Sequence, residues 1–430
     1  MRFLFYIIII CFLNFNIYAD DQLFKDIIIN NPSINKAYYQ YQEVKDNSKQ
    51  VLSSYLPDVN VNYQSYNTKL NNASNDIDDN YNTDEIGVEM NQVLYQYGVT
   101  KILESAKFLK IEYKNLFYAS ISDVYIEAIR IICEIDSKEK ELKFFEKNFN
   151  LINNIVDVTE VKFKSGSVNK IDFLQAKTEL MNAKTKILQI KRDITLLKSE
   201  FSKVTSLPYN RYEIVELNID IKDFSDLWNK ILVSNFNIVA SNYRLKASKN
   251  SITINKRNFM PEARLFANRK KIKGGYNFNS DGGDSDTTDN IGIKISVPLY
   301  KGGYNLAKLS QVKNIYEVNL REHQYLFNNY KNQAKEVFEN LKINNELVEN
   351  QKLYLEFATS LLEAAENNYK YGKTDLLNLL EAQREYNKAS FELANVQNQG
   401  KYFSYRYLYL IGGLSSDFFK IDLASTFKNI

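Results

Sequence analysis

The sequence predicts a mainly α-helical protein with a small β part, in which one structural unit occurs twice. Three observations predict this fold class. The 430-residue chain contains only 14 glycines and 5 prolines, so few residues interrupt long elements. Segments of the first half of the chain recur in the second half at a nearly constant spacing. Short stretches of alternating apolar and polar residues lie at equivalent places in both halves.

Three pairs of segments establish the internal duplication. FKSGSVNKIDFLQAKTEL (163–180) aligns without gaps to YKYGKTDLLNLLEAQREY (369–386), a shift of 206 residues. GVEMNQVLYQYG (87–98) aligns to GIKISVPLYKGG (292–303), a shift of 205. The pair Leu56-Pro57 aligns to Met260-Pro261, a shift of 204. The three matches occur in the same order at nearly one shift, and we therefore predict a tandem duplication.

The N-terminal residues 1–19 form a predicted signal peptide. Arg2 is followed by an apolar stretch, and Ala19 offers a small residue at a cleavage point before Asp20. An N-terminal membrane anchor is the alternative, but the apolar run is short for a span. Cys11 lies within this segment and could be an acylation site, although the isoleucines before it are not the small residues that such a site prefers.

The predicted domains follow from the duplication. The first repeat covers 20–206, a linker with Pro208 covers 207–222, the second repeat covers 223–414, and a C-terminal tail covers 415–430. Each repeat begins with one helix (22–55 and 224–258). A strand pair follows (57–96 and 261–300), with polar loops at 68–85 and 271–290 between the strands. Each repeat ends with a long helical hairpin that turns at Gly166 or Gly372.

The predicted strands are about 10 residues long and have one apolar face. In 291–299, isoleucine, valine and leucine alternate with glycine, lysine, serine and proline. A soluble β-sandwich gives this pattern, and so do membrane strands with apolar residues toward lipid. Four strands cannot close a membrane barrel, whose smallest bacterial examples have about eight strands. If these strands lie in a membrane, several chains must pool them, and three chains would supply twelve.

The helical hairpins are predicted to pack as antiparallel coiled coils. No glycine or proline occurs between Gly303 and Gly372, and a helix of that length would reach about 100 Å. Apolar residues recur at helical spacing in 168–201. An ordinary coiled coil without a channel has the same signature.

Several classes of function are disfavoured. The formal net charge is +3, so the sequence lacks the excess of basic residues that is typical of nucleic-acid-binding proteins. After cleavage of the signal, Cys133 is the only cysteine and His323 the only histidine, so no metal site or catalytic triad is expected. Nucleotide-binding and metalloprotease motifs do not occur in the sequence, and no enzymatic activity is expected. A periplasmic coiled-coil adaptor or scaffold remains the alternative to a channel.

The mature chain resembles the TolC-type outer membrane efflux proteins. Four features carry the resemblance: Asn30-Asn31-Pro32, the Leu56-Pro57 and Met260-Pro261 strand entries, the VPLYKGG stretch at 297–303, and the twice-repeated aromatic-Lys-x-Gly turn. The resemblance implies a homotrimer in the outer membrane. Its strands would form one shared transmembrane β-barrel, and its helices an α-barrel extending into the periplasm. It also implies no cofactor.

The same resemblance implies partners and a gate. The protein would be the exit channel of a tripartite efflux pump or a type I secretion system. It would contact outer membrane lipid, a periplasmic adaptor protein and an inner-membrane pump. The turns at Gly166 and Gly372 would lie at the periplasmic tip. The family's latch and constriction positions fall on Asp172, Tyr369, Thr374, Asn378 and Glu381. Thr374 and Asn378 replace charged residues of the familiar pattern, so we expect a weaker latch and a weaker acidic ring.

Overall fold

A computed structural model describes residues 21–72, 77–219, 221–274, 285–417, 421, 423 and 427. The predicted signal peptide with Cys11 lies outside the described residues, as does most of the predicted C-terminal tail. The described elements are α1 (Asp21–Asn30), α2 (Pro32–Ser53), β1 (Asp58–Asn72), β2 (Ile77–Gln96), α3 (Val99–Lys164), α4 (Lys170–Thr205), α5 (Phe224–Ser234), α6 (Phe236–Asn255), a 3-10 helix (Lys256–Phe259), β3 (Glu262–Gly274), β4 (Ser285–Ser296), α7 (Tyr304–Lys370) and α8 (Leu376–Leu410).

The element order repeats after the linker. Each half contains two short helices, two strands and a hairpin of two long helices. The first helix of the hairpin has 66 residues in α3 and 67 in α7, and the second has 36 in α4 and 35 in α8. The described part of the linker, 207–219 and 221–222, contains no helix and no strand. The duplicated fold predicted from the sequence is therefore present.

The prediction of one entry helix per repeat was wrong. The chain breaks at Asn31 between α1 and α2, and at Asn235 between α5 and α6. Asn31 is buried, and its Oδ1 accepts hydrogen bonds from the backbone N–H groups of Ser33 (2.8 Å) and Ile34 (3.2 Å). It thus caps α2, which opens with Pro32 at a position where no N–H partner is needed. Asn235 has extended backbone angles (φ −64°, ψ 122°), which end α5.

The predicted strand bounds were also wrong. The four strands have 15, 20, 13 and 12 residues, and they take in much of the predicted polar loops. Polar side chains pair across these extensions. Asn67 Nδ2 donates to Asn82 Oδ1 at 2.7 Å, and Asn290 Nδ2 donates to Asn268 Oδ1 at 3.0 Å. Because both faces are polar there, the apolar alternation that marks a strand in sequence is lost. β4 ends at Ser296, before Pro298, which cannot donate to a ladder.

The strands form one antiparallel sheet in the order β1-β2-β3-β4. The register aligns apolar residues on one face, with Val61 opposite Val88, Tyr63 opposite Ile86, and Leu265 opposite Ile293. β2 and β3 join the two repeats, with one irregularity between Val93 and Tyr95. This apolar face is exposed in the single chain: Val61 is 69% and Ile291 78% accessible.

The chain divides into two compact units. The first unit comprises 1–36, 118–236 and 328–430, of which the described residues bury large aromatic side chains such as Phe24, Phe201 and Tyr405. Tyr125 is fully buried, and its hydroxyl donates to the Phe24 carbonyl oxygen at 3.0 Å. Because the hydroxyl of Tyr125 has a hydrogen-bond partner, its ring adds buried apolar area to the core without leaving a polar group unpaired.

The second unit comprises 37–117 and 237–327, and it contains the sheet and the helical segments adjoining it. Here Arg244 Nε lies 2.7 Å from Oε1 of the buried Glu112. The single histidine, His323, has its Nδ1 2.9 Å from Ser241 Oγ. Among the described helices of the chain, none combines the length and the apolar character that a bilayer span requires.

Candidate functional site

The two hairpin turns are built in the same way. Gly166 has φ +76°, its N–H donates to the Phe163 carbonyl (3.0 Å), and the Ser167 N–H donates to the Lys162 carbonyl (2.8 Å). In the second repeat, Gly372 has φ +69°, and the equivalent bonds are 3.1 and 2.8 Å. This is the Schellman ending, which places a left-handed residue just after the last helical turn. A Cβ on either glycine would meet nothing within 4 Å, so glycine is required for its backbone conformation alone.

Each turn then starts the next helix with a side-chain cap. Asn169 Oδ1 accepts from the Asp172 N–H at 2.9 Å, and Asp375 Oδ1 accepts from the Asn378 N–H at 3.0 Å. Asn169 and Asp375 stand 206 positions apart and are not among the residues predicted for the site. The signal was available, because Asn and Asp directly before an apolar helical pattern mark N-caps.

The two N-caps give some of the predicted gate residues a local structural role. Asp172 and Asn378 are the third residues of α4 and α8, where their N–H groups need partners. A carboxylate in the first turn also interacts favourably with the helix dipole, which applies to Asp172. The Asn378 side chain turns back to donate from Nδ2 to Thr374 Oγ1 at 3.0 Å. Thr374 and Asn378 therefore support the local turn structure.

Asp172, Tyr369 and Thr374 line one cleft of about 380 Å³. Lys162 and Asp375 also line it, so the cleft holds a cation and two carboxylates. Among the described contacts, the Asp172 carboxylate makes no hydrogen bond to the Tyr369 hydroxyl. The Lys162 Nζ instead lies 5.4 Å from the centre of the Tyr369 ring, at cation–π distance.

Tyr369 also belongs to a core shared by four helices. The buried cluster beneath the cleft comprises Ile152, Ile155 and Val156 of α3, Ala176, Leu180 and Ala183 of α4, and Leu379 and Leu380 of α8. Tyr369 of α7 packs against it. The alanines Ala176 and Ala382 are equivalent in the two repeats and both are buried. Small residues at these positions allow the helices to approach closely.

Glu381 stands apart from this group. It is exposed on α8, while its neighbours Leu380 and Ala382 are buried. It is not among the residues that line the cleft. The structure thus brings Asp172, Tyr369 and Thr374 together, joins Asn378 to Thr374, and leaves Glu381 exposed outside this group. Lys162 is a cleft residue that sequence reasoning missed, because helical lysines are common and carry no distinctive pattern.

The comparisons with known proteins agree with this architecture. The sequence profile of the outer membrane efflux protein family matches residues 23–196 and 227–402, which is one match in each repeat. No curated protein sequence matches the chain.

Solved structures show the same fold. VceC from Vibrio cholerae superposes with a TM-score of 0.78 at 15% identity, covering 91% of this chain and 96% of that protein. CmeC from Campylobacter jejuni gives 0.79 at 15% identity, covering 95% and 88%. The open state of MtrE from Neisseria gonorrhoeae gives 0.69 at 14% identity, covering 92% and 89%. At these identities the likeness establishes the fold.

The family match extends over both repeats, and the solved channel structures cover nearly the whole chain. The predicted resemblance and the mainly helical, duplicated fold class are confirmed, and family and fold are those of channel proteins. The chain belongs to the outer membrane efflux protein family, as an efflux exit channel of the outer membrane that extends into the periplasm.

Proposed function

We propose that three copies of this chain assemble into one channel, with their sheets closed into a shared barrel of twelve strands. The observation that carries the proposal is the pair of open sheet edges. Among the residues that the structure describes, β1 pairs with β2 alone and β4 pairs with β3 alone. Unpaired backbone groups are not tolerated in lipid, so β1 of one copy must pair with β4 of the next.

The exposed apolar face supports the same assembly. Val59, Val61, Ile293 and Ile295 are between 59% and 70% accessible and lie on one side of the sheet. The opposite side carries paired polar groups, such as Lys270 Nζ and Glu85 Oε2 at 2.7 Å. In a closed barrel, the apolar face would contact lipid and the polar face would line a hydrated lumen.

We propose that the hairpin turns at Gly166 and Gly372 form the periplasmic tip and that the adjoining cleft acts as the latch. Asp172 and Tyr369 already line this cleft, so a small rotation of the hairpins would change their separation. A hydrogen bond between them would contribute about 1 kcal/mol, which is small enough to be released by a docking protein. The exposed Glu381 carboxylates of three copies would form the acidic ring near the axis.

We propose that the tip docks through a periplasmic adaptor onto an inner-membrane pump, and that the channel conducts the pump's cargo passively. An efflux pump and a type I secretion system both need such an exit channel. The charged cleft beside the two turns supports docking there, because connecting segments that a helical scaffold positions often carry binding residues.

A planar bilayer experiment tests the channel and the assembly together. Purified mature protein should run as a trimer in detergent by light scattering and give discrete conductance steps. A monodisperse trimer without conductance would contradict the channel, while conductance from monomers would contradict the shared barrel. Heat-denatured protein from the same preparation is the matched control and should give no steps.

A further inference from the structure

A row of basic side chains continues the exposed face of the sheet toward its hairpin end. Arg269, Lys271 and Lys273 alternate along β3, so they point to the same side as Leu265 and Ala267. All three are exposed. Lys270, between them in sequence, points to the polar side, where it pairs with Glu85. We call Arg269, Lys271 and Lys273 the basic row.

Along β3 and β4 the apolar band ends where the basic row begins, whereas on β2 the apolar residues Val88 and Ile86 lie opposite Arg269 and Lys271. On β3, Ala267 is followed on this face by Arg269; on β4, Ile291, opposite Ala267, is followed by Asp289. The apolar end of the sheet is the end at which the chain enters it from the helices, because β1 follows α2 and β3 follows the 3-10 helix. The basic row therefore lies toward the β3–β4 hairpin, on the side away from the helices.

Neighbouring acids balance only part of this charge. Arg269 Nε lies 3.4 Å from Asp289 Oδ1, but both side chains are more than 60% exposed, so the pair contributes little. Lys273 stands opposite Asp84 across the β2–β3 ladder. Lys271 stands between Ile86 and Thr287, with no acid directly opposite on either strand.

The basic row is a feature of the second repeat only. The residues that correspond to Arg269 and Lys271 at the shift of 204 are Ser65 and Asn67, which are uncharged. Only Lys273 has a basic counterpart, Lys69. A trimer would therefore carry three such rows, one for each chain.

We propose that the basic row binds the phosphate groups of anionic lipids in the outer leaflet; this inference rests on the membrane placement of the sheet proposed above. An apolar face in contact with acyl chains ends at the head-group layer, and the next side chains along the strand meet that layer. The helices extend into the periplasm, so the hairpin end reaches the outer leaflet. Guanidinium and ammonium groups donate charge-assisted hydrogen bonds to phosphate oxygens.

Native mass spectrometry of the detergent-solubilised trimer tests the proposal. The protein is mixed with equal amounts of lipid A, which carries phosphates, and zwitterionic phosphatidylcholine. The wild-type trimer should retain lipid A in preference to phosphatidylcholine. Loss of a cation near lipid phosphates weakens binding by about fivefold, so Lys271→Gln should lower lipid A retention by about that factor. Arg269→Gln, Lys271→Gln and Lys273→Gln combined should abolish the preference.

Three controls make the result specific. The combination Lys249→Gln, Lys313→Gln and Lys335→Gln removes the same charge from exposed helical positions and should leave retention unchanged. Arg269→Lys keeps the charge and should retain lipid A. Excess inorganic phosphate should not displace the lipid, because the acyl chains contribute to its retention.

The outcomes separate this proposal from the channel itself. A conducting wild-type trimer without preference for lipid A would overturn the lipid proposal alone. Equal retention by the triple variant of the basic row, or displacement by inorganic phosphate, would also overturn it. A wild-type protein that forms neither trimers nor conductance steps would overturn the assembly and the lipid site together.

Discussion

Asn31 and Asn235 occupy equivalent positions 204 residues apart, and each holds the C-terminal end of a long helix. Asn31 Nδ2 donates to the Val204 carbonyl at the end of α4 (2.6 Å), and Asn235 Nδ2 donates to the Leu410 carbonyl at the end of α8 (3.0 Å). Both asparagines are buried, at 2% and 3% accessibility. The duplication has thus preserved a buried polar contact together with the helices that it joins.

We expect Asn31→Ala and Asn235→Ala each to destabilise the protein by about 1–3 kcal/mol, because a helix-end carbonyl would lose its buried donor. The melting temperature of the detergent-solubilised protein, followed by circular dichroism, measures this. Asn30→Ala, at an exposed neighbouring position, should change the free energy of unfolding by less than about 0.5 kcal/mol. Equal losses for Asn30→Ala and Asn31→Ala would contradict the role of the buried amide.

These asparagines show where sequence reasoning stopped. The hairpin turns were predictable because glycine at a break in a long helical pattern has few other uses. The break at Asn31 had a local signal, an asparagine cap directly before Pro32. The contacts that the two amide groups donate were not predictable, since their acceptor carbonyls lie about 175 residues away in sequence. The strand extensions failed for a related reason: their polar residues are paired across the ladder, and the sequence of one strand does not show the other.

The candidate gate was predictable to a similar degree. The resemblance placed Asp172, Tyr369 and Thr374, and the structure brings these three to one cleft. The caps Asn169 and Asp375 are local in sequence and could have been found by their spacing to the next helix. Lys162 could not, because its contact with Tyr369 joins two repeats.

Two glycines with similar backbone angles should respond differently to alanine. Gly372 (φ +69°) has open space at the Cβ position, so Gly372→Ala should cost about 1–2 kcal/mol from the left-handed conformation alone. At Gly412 (φ +66°) a Cβ would lie 2.3 Å from the Ser234 carbonyl oxygen, so the backbone would have to move. We expect Gly412→Ala to lower the melting temperature more than Gly372→Ala. The reverse order would show that the surroundings of Gly412 relax freely.

The buried Glu112 should make stability depend on pH. Burial raises the pKa of the Glu112 carboxyl above its ordinary value, and the hydrogen bond and charge of Arg244 oppose this shift. Between the unfolded pKa and the higher folded pKa, the folded protein binds more protons, so stability falls as pH rises through this window. In the Glu112→Gln variant, the melting temperature measured across pH 4–7 should no longer show this fall with rising pH.

Arg244→Gln should remove the compensation for the buried carboxylate. We expect Arg244→Gln to lower the free energy of unfolding by about 1–3 kcal/mol at neutral pH. This is less than the loss expected for a fully buried ion pair, because Arg244 is partly exposed. The loss should shrink in acid, where Glu112 is protonated. Adding Glu112→Gln to Arg244→Gln should restore much of the melting temperature at neutral pH. An Arg244→Gln loss that is the same in acid and at neutral pH would show that the arginine acts by packing.

Glu381→Gln should reduce the preference of the channel for cations. Three exposed carboxylates brought near one axis attract cations, as acidic rings do in other channels. The reversal potential of reconstituted channels under a salt gradient measures the preference, and it should move toward zero in the variant. Glu366→Gln removes the same charge from an exposed position on α7 and is the matched control. If both variants shift the reversal potential equally, the effect belongs to the overall charge of the lumen and not to a ring at Glu381.

Adjacent positions on β1 should differ sharply in their tolerance of charge. Val61 lies on the exposed apolar face and pairs with Val88, while Asn62 points to the polar face opposite Gly87. An arginine facing lipid costs up to about 2–4 kcal/mol at the bilayer centre and less toward the head groups, whereas a lumenal arginine stays hydrated. We therefore expect Val61→Arg to lower the yield of heat-resistant trimer in outer membrane fractions, measured by gel mobility of unheated samples. Asn62→Arg should assemble normally and change only the conductance. Because one residue along a strand reverses the face, equal yields of the two variants would mean that neither face of this sheet contacts lipid.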